Sequence, residues 1–117
     1  MAGQTLAWLS DQTSHGQLSV FVAHVGEKLA GLATTVALPA SQRLGCSWQL
    51  RDLYVVPSAR RRGVARALVG AVRQAATAAG AIHLGVQTEP DNIAALQLYR
   101  TSGFESVDDI QILALPL

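Results

Sequence analysis

The residues best placed to do chemistry are arginines gathered around one glycine. Arg60, Arg61, Arg62, Arg66 and Arg73 share one short stretch of a chain whose formal net charge is only +1. They describe a local anion site within a nearly neutral protein. They follow Leu53-Tyr54-Val55-Val56, a strand-like run stopped by Pro57-Ser58, and they open a helical pattern at Gly63, Val64 and Ala65. A helix start offers unpaired N–H groups and a partial positive charge, which suits a phosphate. Gly63 leaves out the side chain that would hold an anion off the backbone, and Ala65 keeps the next exposed position small. Arginines add charge-assisted hydrogen bonds, roughly twice as strong as neutral ones. A solvated basic helix start is the bland alternative. Yet three cations at the end of a helix where the dipole opposes them need a reason, and a bound polyanion is one. The spacing Arg-x-x-Gly-x-Ala matches neither the Gly-Lys-Ser/Thr phosphate loop nor the three-glycine dinucleotide fingerprint.

A second constellation lies downstream. Asn92, Ala95 and Tyr99 stand at i, i+3 and i+7, on one face of a helix. An amide, a small residue and a phenol in line could border an extended ligand. The same pattern also describes a core stripe with one buried tyrosine, and helix periodicity alone leaves both readings open.

These residues need elements to hold them. Leu6, Trp8 and Leu9 suggest a short helix that breaks near Ser14-His15-Gly16. Leu18 to Val25 alternates as a strand, Gly26-Glu27 is a hairpin turn, and Leu29 to Leu38 is a second strand stopped by Pro39. Trp48 to Val56 is a third strand. A helix runs from Gly63 to Ala79, with Val64, Leu68, Ala71, Val72 and Ala75 on one face and Gly80 as its stop. Ala81 to Val86 is a strand, Asn92 to Ser102 a second helix closed by Gly103, and Phe104 to Leu115 supplies the last strand material. The order predicts an α/β (α+β) domain: a mixed, mostly antiparallel sheet with one parallel strand–helix–strand crossover. At 117 residues, 50% hydrophobic and 15% charged, the chain fits one domain over 1–117 with a core, and disorder is excluded. Cys46 is the only cysteine, so an internal disulfide is excluded and a reducing cytoplasm is expected. The apolar runs are too short to span a bilayer, so no membrane is expected.

The run Arg60 to Ala65 resembles the pyrophosphate-binding motif of the GNAT superfamily of N-acetyltransferases, Gln/Arg-x-x-Gly-x-Gly/Ala. The run from Asn92 through Leu98-Tyr99 to Gly103-Phe104 is similar to that family's later motif, in the same order. The resemblance covers roughly residues 17–117. It implies acetyl-CoA as cosubstrate, no metal, and acetyl transfer to a primary amine of a small molecule, amino acid or peptide by direct attack in a ternary complex. By the same resemblance Leu53, Tyr54 and Val55 would pair through their backbone with the pantetheine arm. Arg60, Arg61, Arg62, Gly63, Val64 and Ala65 would hold the pyrophosphate. Asn92 would contact the pantetheine region, and Tyr99 would stand near the cofactor sulfur as general acid.

Such a reaction must free an amine lone pair. With an alkylammonium pKa of about 10.4, that costs roughly 4–5 kcal/mol at pH 7. Asp52, Glu89 and His83 are the candidate acceptors of the proton. Asp52 leads, because it lies on the cofactor strand in an Asp-Leu-Tyr-Val run resembling several small-amine acetyltransferases; it could equally anchor a cationic acceptor. Glu89, just before Pro90, could be a loop residue only. His83 sits in an apolar strand, where a core histidine is the commoner outcome. A phenol near 10 does not protonate a thiolate of parent pKa near 8.5 downhill, so a strong hydrogen bond from Tyr99 is the minimum role. The oxyanion would meet a backbone N–H near Tyr54 or Val55. Cys46 has no His–Asp set to frame a covalent route. Compared with the family pattern the N-terminal strand and helix region is shortened, which abbreviates the acceptor side. A homodimer could complete it. The alternative function is a non-catalytic CoA-binding module, or a fragment needing a partner chain. Nucleic-acid binding is not expected from so compact a basic patch with few aromatics.

Overall fold

A computed structural model describes residues 6–12, 18–40 and 45–117. It divides into two compact units, residues 1–87 and 88–117.

The first unit holds strands β1 (Leu6–Gln12), β2 (Leu18–Val25), β3 (Lys28–Ala40) and β4 (Gly45–Val55), a 3₁₀ turn (Pro57–Ala59), helix α1 (Val64–Ala78) and strand β5 (Leu84–Val86). Among the described residues the sheet has five strands in the order β1-β2-β3-β4-β5. The first three pairings are antiparallel and β4–β5 is parallel, across the α1 crossover. In β2, Ser19, Phe21 and Ala23 are buried and alternate with half-buried neighbours, the period-two signature of a one-sided sheet. The β2–β3 hairpin closes with Val25 opposite Lys28 across Gly26-Glu27. Gly26 has φ 64°, the sign a two-residue turn of this kind requires at its first position.

The core forms where α1 lies on the sheet. Val64, Leu68, Val69, Val72 and Ala76 are buried on the helix, and Phe21, Ala23, Ala33, Thr35, Trp48 and Leu50 on strands β2 to β4. The closest approach is at Gly31: a Cβ there would stand 2.6 Å from the Tyr54 carbonyl oxygen, with Leu68 Cδ1 at 3.2 Å and Val64 Cγ1 at 3.3 Å. Helix α1 ends as the Gly80 signal predicts. Gly80 donates to the Thr77 carbonyl and Ala81 to that of Ala76, so both orphan carbonyls are satisfied by one left-handed residue.

The N-terminal segment departs from expectation. Leu6 to Gln12 is a strand, not a helix, paired residue for residue with Ser19 to Val25. Four apolar residues in a row, Leu6 to Leu9, carry no period that separates the two, and the edge of β2 decides it.

The second unit holds helix α2 (Ile93–Thr101) and the segment after it. Phe104 to Leu115 is not a strand. Ile110, Ile112, Leu113 and Leu115 are exposed. Their spacing is strand-like, but a strand needs a partner edge, and this unit supplies none.

Candidate functional site

The most informative local structure is a phase change in β4. Thr34 pairs with Asp52 but Thr35 pairs with Leu50, so Arg51 is an extra residue, a β-bulge. Before it, Trp48 and Leu50 are buried on the α1 side. After it, Leu53 and Val55 register with Ala33 and Gly31 on that side, and Asp52 and Tyr54 register with Thr34 and Leu32 on the other.

The bulge also re-aims the backbone. Trp48 donates its N–H to the His83 carbonyl at the start of the β5 pairing. Val56 donates to the Ala30 carbonyl of β3. In an antiparallel ladder the donors alternate, so Asp52 and Tyr54 turn their N–H groups toward β3, and Leu53 and Val55 turn theirs away. Among the described residues of this unit the edge they face is open: β5 pairs with Trp48, Gln49 and Leu50 and ends at Val86. Strand β4 runs five residues further, Arg51 to Val55. Pairing between the two strands therefore stops at Leu50 and Val86, and the outward N–H groups beyond it belong to Leu53 and Val55. Sequence reasoning had named Tyr54 as a possible donor; its N–H is turned to β3 because of the bulge.

From the end of β4 the chain turns directly into α1. Ala59 donates to the Val56 carbonyl at 2.9 Å, and Arg60 to that of Pro57 at 3.3 Å. Arg61 adopts φ 63°, uncommon for a residue with a Cβ, and Gly63 follows at φ 77° as the N-cap of α1. The opening N–H groups of α1, at Val64 and Ala65, have no preceding helical turn to bond. A Cβ on Gly63 would meet nothing within 4 Å, so within the protein it is the left-handed φ, not crowding, that calls for glycine. Val64 is buried and anchors the turn, whereas Arg60, Arg61 and Arg62 are exposed around it. Arg60 folds back: its Nε–H donates to the Val55 carbonyl at 3.1 Å, and its guanidinium carbon lies 6.0 Å from the centre of the Tyr54 ring. One arginine is thus already fixed against the open edge.

In the same unit the Thr34 hydroxyl donates to Asp52 Oδ2 at 2.5 Å. Sequence reasoning missed Thr34, since only the register reveals it. His83, read as a core residue, is instead exposed. Among the described residues no three of His, Cys, Asp or Glu gather to hold a metal ion, and no helix is long and apolar enough to cross a membrane.

The second unit carries Asn92 and Tyr99. Asn92 caps α2, its side-chain oxygen accepting from the Ala95 N–H at 3.2 Å. Tyr99 is buried, and its ring meets Phe104 edge-on at 5.5 Å between centres. Phe104 donates to the Tyr99 carbonyl and Gly103, at φ 103°, to that of Arg100. The Tyr-x-x-x-Gly-Phe spacing is thereby a helix stop with its hydrophobic clasp. Burial raises the Tyr99 phenol above its ordinary value near 10. A weaker acid is a poorer proton donor to a thiolate but remains a hydrogen-bond donor at all neutral pH values. Glu89 is an exposed residue whose carbonyl accepts from the Asn92 N–H.

Comparison with known proteins gives the family and the fold. A family model described as Acetyltransferase (GNAT) family matches residues 3–104. An aminoglycoside N(6')-acetyltransferase type 1 of Salmonella typhimurium is 33% identical over 61 residues, which are 52% of this chain and 42% of that enzyme. The chain thus matches less than half the length of this curated relative. Among solved structures, a probable acetyltransferase superposes with a TM-score of 0.81 at 28% identity, over 88% of this chain and 70% of that one. AAC(6')-Iy in complex with a bisubstrate analogue, CoA-S-monomethyl-acetylneamine, superposes with a TM-score of 0.73 at 26% identity, over 86% and 71%.

Proposed function

Since the chain belongs to the acetyltransferase (GNAT) family, we propose that it moves an acetyl group from acetyl-CoA to a primary amine, by direct attack within a ternary complex, and that residues 1–117 act as one domain. The observation that carries this reading is the open edge of β4 running into the arginine–glycine start of α1. An arm that hydrogen-bonds like a peptide strand can pair along Leu53 to Val55, and a pyrophosphate at its end then reaches the N–H groups of Val64 and Ala65 beside Arg61 and Arg62. Of Tyr54 and Val55, the two residues considered for the oxyanion, Val55 is the one whose N–H faces the open edge. By the family resemblance alone, Asn92 contacts the pantetheine arm and the Tyr99 phenol hydrogen-bonds the leaving sulfur.

The acceptor is a small-molecule amine in this reading. The names of the Salmonella enzyme and of the bisubstrate complex put amino sugars first. Asp52 receives the ammonium, accepting its proton or holding its charge. The chain acts as a homodimer in this reading. A monomer by sedimentation that still turns over would remove that part.

The deciding experiment is calorimetric titration of acetyl-CoA into the wild type, Gly63→Ala and Gly63→Glu. Both variants carry the same backbone strain at φ 77°, so their difference reports the longer, negatively charged side chain. Micromolar wild-type binding, weakened in Gly63→Ala and abolished in Gly63→Glu, is expected. Wild-type protein that does not bind acetyl-CoA would refute the reading.

A further inference from the structure

Resting on the acetyl-transfer reading above, we propose that Thr34 is a positioning residue that holds the Asp52 carboxylate in the orientation an incoming amine requires. The two residues are direct register partners across β3 and β4, at the step where Arg51 bulges out. The Thr34 hydroxyl donates to Asp52 Oδ2 at 2.5 Å, within the short range of a charge-assisted O–H···O⁻ bond. Asp52 is otherwise an exposed carboxylate with two free side-chain torsions. A general base or ammonium anchor that must also be ordered on each encounter loses rate to that ordering. The bond from Thr34 occupies one lone pair of Oδ2 and fixes the carboxylate plane. Oδ1 and the remaining lone pair of Oδ2 stay available to an ammonium or its proton.

Placement supports the role. Leu50 is the last β4 residue paired with β5, opposite Val86, and Asp52 lies two residues further, where the open edge begins. Thr34 and Asp52 share the sheet face away from α1. The neighbouring Thr35 is 1% exposed on the α1 face, so the core hydroxyl of β3 is a different residue. A half-buried hydroxyl bonded to an exposed carboxylate adds little to the core, since a cross-strand pair contributes about 0.2–1 kcal/mol.

The test is a double-mutant cycle with Thr34→Val, Asp52→Asn and the pair, plus Thr34→Ser. Thiol release from acetyl-CoA is followed with neamine, spermidine and an alanine-terminated peptide, and the fastest acceptor is carried forward. Thr34→Val should lower kcat about tenfold or more, as loss of positioning does, while the acetyl-CoA Kd and the melting temperature stay close to wild type. Thr34→Ser should restore the rate, and Thr34→Val should change nothing further in the Asp52→Asn background. Wild-type kcat in Thr34→Val, or an equal loss with and without Asp52, overturns the role and leaves acetyl transfer standing. Absence of wild-type turnover on every amine, despite acetyl-CoA binding, overturns transfer and this role together.

Discussion

Gly31→Ala adds a single methyl group at the tightest point of the fold. The new Cβ would stand 2.6 Å from the Tyr54 carbonyl oxygen, whereas real Cβ atoms essentially never come within 3.0 Å, so at least 0.4 Å (3.0 − 2.6) must be found. The obstructing atom is backbone and cannot rotate aside. Retreat toward α1 is blocked by Leu68 Cδ1 and Val64 Cγ1, already at 3.2 and 3.3 Å. Strain of this kind typically costs about 1–3 kcal/mol, which in a domain of this size lowers Tm by roughly 4–12 °C. Because relief comes by pushing Tyr54 and Val55 outward, acetyl-CoA affinity should fall in the same variant. Gly70→Ala is the matched control. It lies within α1 with nothing within 4 Å of its would-be Cβ, so it should gain about 0.5–1 kcal/mol from helix propensity. Thermal unfolding by circular dichroism, with calorimetry on the folded variants, measures both. A Gly31→Ala protein that melts with the wild type would refute the reasoning, because the β3–β4–α1 spacing it depends on would then be wrong.

Two further outcomes concern α2. The Tyr99 phenol, raised by burial, is neutral in folded and unfolded chains below about pH 10. Above that, the unfolded chain releases its proton first, so stability should fall with pH by up to about 1.4 kcal/mol per unit until the folded phenol also ionises. Urea unfolding at a series of alkaline pH values should show this slope reduced in Tyr99→Phe; an unchanged slope counts against a buried, neutral phenol. Gly103→Ala forces a Cβ into φ 103° and should destabilise α2 by about 1–2 kcal/mol. The fraying is readable as faster amide exchange at Ser102 and Phe104, whose N–H groups bond the Leu98 and Tyr99 carbonyls, and unchanged exchange there would remove the helix-stop account.

Much of the site could be read in the residues because its signals are local. Gly26, Gly80 and Gly103 each mark a left-handed backbone position, and each occurs at the turn or helix end expected. The arginines and Gly63 likewise meet at the start of α1, since a strand stop and a helix start within a few residues leave no other arrangement. The missed features are non-local. The pairing of Thr34 with Asp52, and the outward aim of Leu53 and Val55, depend on one unpaired residue in β4. No periodicity announces it, because Arg51 is as plausible in a regular strand as in a bulge. Leu6 to Gln12 failed for a related reason: its choice between helix and strand is made by the edge of β2, which lies elsewhere in the chain.

Arg51 gives β4 a property that bears on how such a strand can vary in length. Upstream of it the even-numbered positions Trp48 and Leu50 turn inward, and downstream the odd-numbered Leu53 and Val55 do. Inside and outside along β4 are thus a matter of parity, reset once. Deleting one codon upstream of the turn would exchange the two sides of every residue between the deletion and the next reset, while losing two would leave them as they are. Length changes tolerated elsewhere in this strand are therefore expected in even steps, and loss of Arg51 itself is the one odd step that keeps both sides. A relative lacking the extra residue would have to carry its carboxylate at an adjacent number to present it on the same face. Counting gaps would misplace that residue; counting sides of the sheet would find it.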